Sequence, residues 1–349
     1  CYLAGYANSN HPHEGVHDPI SLRALYVSNG SEEVVLVSAD ILWFREEIAD
    51  PIHDLIASEL GISADHVMLC GTHTHSAPVT NGSNANAEYL HFLAAQTLAA
   101  VTLAKGRAEA VTLRLARGES HIGINRREQK PGGEIVLGEN PDGPIDREVL
   151  LTSFLAASGK TIAEVCSFAT HGTVMGGDSY QLSGDWCGLA ASAIESGSEG
   201  AFLFMNGGSA NVNPVGRSRP SNFEIAERHA KTFTADIART RESYESQEAD
   251  TILKGHFKQI ELPRKQRDIE EGMGRTRRVR IHGLRIGPLR IVGFPGEVFS
   301  ETAMGVKQSA PSSAIAVNSY TTGGSAGYVA IRDAFDTGAT DWDTILPGR

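Results

Sequence analysis

The sequence is poor in cysteine, in aromatic residues and in positive charge, and it contains no long apolar run. Its four cysteines, Cys1, Cys70, Cys166 and Cys187, share no short pair spacing, which argues against a disulfide framework and against a Cys-x-x-Cys zinc site. Cys70 and Cys166 lie inside apolar runs and read as buried thiols. Lysine and arginine number 31 against 42 aspartates and glutamates, a net charge of −11. The electrostatic attraction that dominates binding to nucleic acid or an anionic membrane is therefore missing, and a small molecule is the expected partner. No stretch reaches the roughly 18 apolar residues of a membrane span, and no charged segment followed by an apolar one opens the chain. The opening CYLAGYANSN reads as a cut inside a domain rather than a natural start, which leaves compartment open. Oligomeric state is left open as well.

What is present is ample: 349 residues, 41% of them hydrophobic, enough for one large α/β unit or two ordinary domains. Apolar β-branched runs alternate with longer amphipathic segments through the first two thirds, the pattern of a sheet covered by helices. Strands are expected at Val34–Leu42, Val67–Gly71, Val165–Thr170 and Phe202–Asn206, and helices at Glu46–Leu60, Ala87–Lys105, Gly184–Ser196 and Phe223–Ser243. Ile252–Leu262 alternates, and Val279–Gly293 holds two β-like runs broken at Gly287-Pro288, as in a hairpin. The segment Pro263–Arg278 mixes both charges around glycines and reads as a solvated loop or lid. No repeat or linker divides the chain. The expected fold is α/β, a mixed β-sheet flanked by helices, in a single domain over residues 1–349.

Chemistry-bearing residues collect after the strands. His73 and His75 follow Val67–Cys70 at i and i+2, a spacing that along a strand projects both rings to one side at its C-terminal end. The pair suits a metal, and equally a hydrogen-bonded couple of histidines. His171 follows the run Val165–Thr170 and precedes a glycine-rich stretch, which points to a ligand site or to a structural histidine. Phe202–Pro214 runs from a strand into a Gly/Asn turn whose amides, Asn206 and Asn213 among them, suit substrate orientation or a tight turn. Glu297 follows Phe294-Pro295-Gly296, either as a metal ligand or as an acid favoured at a helix start. Tyr328 follows a glycine-rich turn. The run Asn10–Asp18 is rich in metal-ligand types but reads first as a solvated loop.

Taken in order, GYAN (5–8), SAD (38–40), GTHTHSAP (71–78), INR (124–126), FATHG (168–172), SGDWCG (183–188), the Asn213-Pro214 turn, FPGE (294–297) and AGYV (326–329) resemble the neutral/alkaline ceramidase family over nearly the whole chain. In that family one zinc is held by two histidines, a glutamate and a tyrosine, and activates water against an amide carbonyl. The resemblance implies His73, His171, Glu297 and Tyr328 as zinc ligands, with His75 and Arg126 lining the substrate pocket, His75 as proton donor or carbonyl polariser. His17, Asp18, Asp40, Asp185 and Asn206 are expected to line the pocket or to support the ligands, Asp40 by orienting a ligating histidine through its other ring nitrogen.

Two departures narrow the expectation. Family ceramidases carry a serine implicated in catalysis where this chain has Asn213, and an asparagine can neither attack as a nucleophile nor pass on a hydroxyl proton. The long C-terminal immunoglobulin-like domain of full ceramidases has no counterpart here. The expected activity is therefore zinc-dependent cleavage of an amide smaller or more polar than ceramide. The alternatives are an ester, lactone or glycoside hydrolase on the same metal, and a catalytically idle binding module.

Overall fold

A computed structural model describes residues 1–6, 11–198, 200–245, 250–264, 269–270, 272–311, 313–322, 326–331 and 334. Ala7 and Asn8 of the GYAN motif, Asn10, Ser325 and part of the 263–278 segment lie outside these residues.

The apolar runs become strands buried on both faces. In Glu33–Ala39, Val35, Val37 and Ala39 pack with Ile48, Ile52 and Ile56 of helix Glu46–Leu60, while Val34 and Leu36 turn the other way into a core shared with strands of two further sheets. The period of two does the same on the opposite side. Phe202 and Phe204 meet Trp186 and Phe233, on helices Asp185–Ser196 and Phe223–Arg241, while Leu203 and Met205 enter the shared core. The result is helices outside, sheets inside, and an apolar layer between the sheets.

Three sheets supply that inner layer. One pairs Leu22–Ser28, Glu33–Ala39 and Val67–Gly71. A second orders Ala201–Asn206, Thr161–Phe168, Glu148–Ala156, Val111–Glu119 and Tyr244–Glu245. The third orders Leu253–Pro263, Thr276–Ile286, Leu289–Gly293 and Ala314–Asn318. Each is mixed and each contains a single parallel pair: 33–39 with 67–71, 161–168 with 201–206, and 289–293 with 314–318. The fold is α/β with mixed sheets flanked by helices, as the sequence predicts.

Local chemistry sets the boundaries. Asn86 and Asn222 cap helices Ala87–Gly106 and Phe223–Arg241 by accepting from the amides of Tyr89 and Glu224 at 2.9 and 2.8 Å. Strand Glu33–Ala39 ends three residues before the expected Leu42, because the chain bends at Asp40. Pro263 and Thr276 pair as the last rung of a hairpin, so Thr276–Arg278, read from sequence as loop, belong to a strand. Alternating charge and glycine conceal a strand whose outer face is solvated.

Candidate metal centre and active site

The parallel pairs of the three inner sheets direct their C-terminal ends to one place, so loops from three sheets meet there. The turn after Val67–Gly71 carries His73 and His75, and the turn after Thr161–Phe168 carries His171. The two turns are joined directly: Thr74 bridges Gly172, and the amide of His75 donates to the carbonyl of Gly172 at 3.1 Å. A Cβ on residue 172 would lie 2.9 Å from the His73 carbonyl oxygen, so the approach requires glycine.

His73 and His75 converge, but not by strand pleat. The strand ends at Gly71 and His73 has φ +67°, a left-handed conformation rare outside glycine. Its ring lies stacked on Tyr320 at 3.6 Å between centroids and 9° between planes. Tyr320 is itself left-handed, at φ +60°, fully buried, and in hydrogen-bond contact with the Ser209 hydroxyl at 3.0 Å. This tyrosine went unread in the sequence, where it follows a strand in a polar, glycine-containing stretch with the look of an ordinary turn.

The imidazoles are held in register by the backbone. Nδ1 of His73 bonds the carbonyl of Leu42 at 2.9 Å, and Nδ1 of His171 bonds the carbonyl of Ser209 at 2.7 Å. A carbonyl accepts only, so each Nδ1 carries the proton and each Nε2 presents its lone pair inward. Burial, reinforced by neighbouring histidines at His73 and by Arg126 at His171, holds both well below the ordinary histidine range and keeps them neutral. His75 is depressed in the same way, first by burial and then by His171.

Four potential donor atoms then face one another across ion-sized gaps. Nε2 of His73 and His75 are 3.1 Å apart, and Oε2 of Glu297 stands 3.4 Å from Nε2 of His171 and 3.9 Å from that of His73. Donors about 2.0–2.1 Å from a tetrahedral cation lie about 3.3 Å from each other. Oε2 of Glu297 is buried and makes no hydrogen bond, a costly state for a carboxylate oxygen unless a cation completes it. The donor set therefore fits a divalent metal. His73, His75 and His171 alone already form a buried group able to hold one.

Glu297 is not the helix-start acid that its sequence context also permits. It sits in a two-residue strand, Glu297–Val298, paired in parallel with Tyr328–Val329, ahead of helix Ser300–Gln308. The pairing brings the phenol of Tyr328 beside the carboxylate, and burial with that negative neighbour pushes the phenol up. Arg126 closes the side: it donates to the Tyr328 hydroxyl at 3.3 Å and lies 3.5 Å from Nε2 of His171.

The remaining expected residues act behind or beside the cluster. Asp40 does not orient a histidine, since backbone carbonyls take both Nδ1 atoms; it accepts from the Ser21 amide at 2.9 Å and the Thr72 hydroxyl at 3.2 Å, beside Arg23. Asn206 donates to the carbonyls of Thr72 and Thr170, tying the two histidine turns together from beneath. Asp185 accepts from the amide of Met175 at 3.0 Å and of Trp186 at 2.6 Å, bracing the glycine-rich loop after His171, and burial raises its carboxyl to about 6. Asp18 accepts from the Gly184 amide at 2.8 Å, and His17 stacks on Phe223. Asn213 accepts from the Thr173 hydroxyl at 3.2 Å. Of the N-terminal histidines, His11 stacks near Tyr180 and His13 meets Cys1, so they do not gather into a second metal group among the described residues.

A family model for the N-terminal region of neutral/alkaline non-lysosomal ceramidase matches residues 1–240. The structure resembles the crystal structure of neutral ceramidase from Pseudomonas aeruginosa, with a TM-score of 0.75 at 16% identity over 96% of this chain and 67% of that one. It also resembles a ceramidase complexed with C2, with a TM-score of 0.78 at 15% identity over 99% of this chain and 70% of that one. At such identities the likeness is one of fold. No helix among the described residues is long and apolar enough to cross a membrane.

Proposed function

The chain belongs to the neutral/alkaline non-lysosomal ceramidase family, and from that premise we propose that it is a zinc-dependent hydrolase of an amide smaller or more polar than ceramide. The observation that carries the reading is the orphaned Oε2 of Glu297, poised between the Nε2 atoms of His73 and His171 at tetrahedral spacing. His73, His171 and Glu297 would hold the ion, with the Tyr328 phenol as the fourth ligand. When bound, zinc supplies a Lewis acid and makes water a nucleophile at neutral pH.

The chain's own residues divide the rest of the work. Arg126, fixed between His171 and Tyr328, places a permanent positive charge where the amide carbonyl gains negative charge. His75, buried and neutral, is free to take the proton that the attacking water loses. It then gives that proton to the departing nitrogen as the C–N bond breaks and the new C–O bond is complete. Asn213 stands where the family has serine and cannot form an acyl-enzyme, so a single displacement by water is the consistent course. The Nδ1–H groups of His73 and His171 donate to the carbonyls of Leu42 and Ser209 throughout, which fixes ring orientation.

The test is a panel of short N-acyl amides and matched esters, assayed on wild type, His73→Ala and His171→Ala. Amide turnover in wild type and loss of at least about a thousandfold in both variants is expected, the scale of removing a metal's contribution of several kcal/mol. Full amide turnover by a correctly folded His73→Ala protein would refute the reading, and exclusive turnover of esters would replace the bond cleaved.

A further inference from the structure

Beside the histidine cluster lies a cavity of about 410 Å³, within the size range of small-molecule sites. Its wall is continuous with the metal centre. Asn213 and Ile124, both lining it, are cross-strand partners. Val212, next to Asn213, offers its carbonyl to the His171 amide at 3.1 Å, and Arg126, two residues beyond Ile124, reaches His171.

The charges on this wall are not equivalent. Glu128 accepts from Lys130 at 2.6 Å, and Glu139 accepts from the Gly216 amide at 2.8 Å. Arg219 donates to the carbonyls of Ser218 at 2.8 Å and Val174 at 3.2 Å. Arg217 alone among these charged lining groups makes no hydrogen bond and no ion pair with the described residues. It is half-buried, and burial, with the like charges of Arg219 and Arg126 outweighing the opposing pull of Tyr6 and Asp185, weakens its hold on its proton. Tyr6 and Asp185 favour its charge from a distance, but neither bonds the guanidinium, which leaves its N–H donors open to an anion. Asn213 adds to the site: its Oδ1 is taken by Thr173, which leaves its amide N–H donors to the cavity.

We propose that this cavity seats an anionic group of the substrate, a carboxylate or phosphate held by Arg217 with Asn213 donating beside it. The inference rests on the hydrolase reading for the bond cleaved, and it narrows the substrate to an amide carrying negative charge near the scissile bond. A planar guanidinium with an adjacent amide donor matches the two oxygens of a carboxylate, and also a phosphate. A neutral sphingoid-like head group would leave Arg217 without a partner. The acidic net charge of the chain would slow approach of such a substrate, while Arg217 retains it locally.

The probes are N-hexanoylglycine against N-hexanoylglycinamide, and N-hexanoyl phosphoethanolamine against N-hexanoylethanolamine. Turnover is measured on metal-loaded wild type, Arg217→Ala and Arg217→Lys, with thermal melting to confirm folding. In parallel, calorimetry follows binding of the ketone isosteres of both pairs, in which a methylene replaces the scissile nitrogen. We expect the anionic member of at least one pair to bind and react about 10- to 100-fold better, the range of one charge-assisted contact. Arg217→Ala should bring the ratio close to unity and Arg217→Lys should retain part of it. The pair showing the effect identifies carboxylate or phosphate. Charge-dependent binding of the isosteres without turnover of any amide would keep this inference and remove the hydrolase reading. Amide turnover with no preference for charge would do the reverse. Equal binding of both members of each pair, or a preference that survives Arg217→Ala, overturns the inference.

Discussion

His75 is held from outside the metal cluster by the backbone of residue 5. Gly5 has φ +95°, and a Cβ there would sit 2.3 Å from Nδ1 of His75. Gly5→Ala therefore forces the His75 ring to move while His73, His171 and Glu297 keep their own backbone anchors. We predict that this variant retains its metal but loses about a hundredfold in kcat, the scale of misplacing a reacting group by about 1 Å. Parallel metal analysis and kinetics check it; loss of metal equal to that in His73→Ala would show that His75 is itself an indispensable ligand. At this scale the sequence was legible where a side chain does the work. His73, His75, His171, Glu297 and Arg126 do converge. It was illegible where backbone does the work, because a carbonyl such as that of Leu42 or Ser209 leaves no trace in residue type. Asp40 was misread for that reason: a carboxylate at a strand end resembles a histidine orienter, yet the carbonyls had already taken the ring nitrogens.

Among the elements, helices were read almost to the residue, although the Asn86 and Asn222 caps that set the starts of two of them went unread. The hairpin Leu253–Pro263 with Thr276–Ile286 was read short, and it carries a buried titratable group. His282 donates from Nε2 to the carbonyl of Asp65 at 2.8 Å, and burial, with His53 and Arg280 nearby, pushes it down to about 4. Its folded value lies below the ordinary unfolded value of about 6.5, so the unfolded chain binds the extra proton between these limits. Stability is accordingly full above about pH 6.5 and declines as pH falls toward about 4. This one group accounts for about 2 kcal/mol lost between pH 7 and pH 5. Replacing it by glutamine, which keeps a donor but cannot titrate, should reduce the drop in stability over that interval. Denaturant melts of His282→Gln at the two pH values decide the matter, and an unchanged drop would place the acid sensitivity elsewhere.

For the whole molecule, the sequence predicts strands covered by helices but not two layers of sheet. A strand buried on both faces has the same apolar run whether its second face meets a helix or another sheet. Leu36, Met68, Leu203 and Ile291 show the outcome, drawn from three sheets into one apolar core. The same three sheets send their loops to the histidine cluster, so an ion held there would cross-link parts of the fold distant in sequence. Metal should consequently stabilise the fold by about 2.7 kcal/mol at a hundredfold excess over its Kd, and so raise the melting temperature in a concentration-dependent way. His171→Ala should melt at a temperature indifferent to added zinc, and scanning calorimetry across a zinc series tests this directly. Core packing is a separate contribution: Phe233→Ala, which empties a fully buried ring position against Trp186 and Phe204, should cost about 3–5 kcal/mol while sparing the zinc response. Everything proposed for the chemistry turns on whether Glu297, His73 and His171 hold one zinc together. Elemental analysis of protein purified without added metal, on wild type and Glu297→Ala side by side, tests it most directly. About one zinc per chain in wild type and a clear loss in the variant are expected; a wild-type protein without stoichiometric metal, or a variant that keeps all of it, would rule the site out.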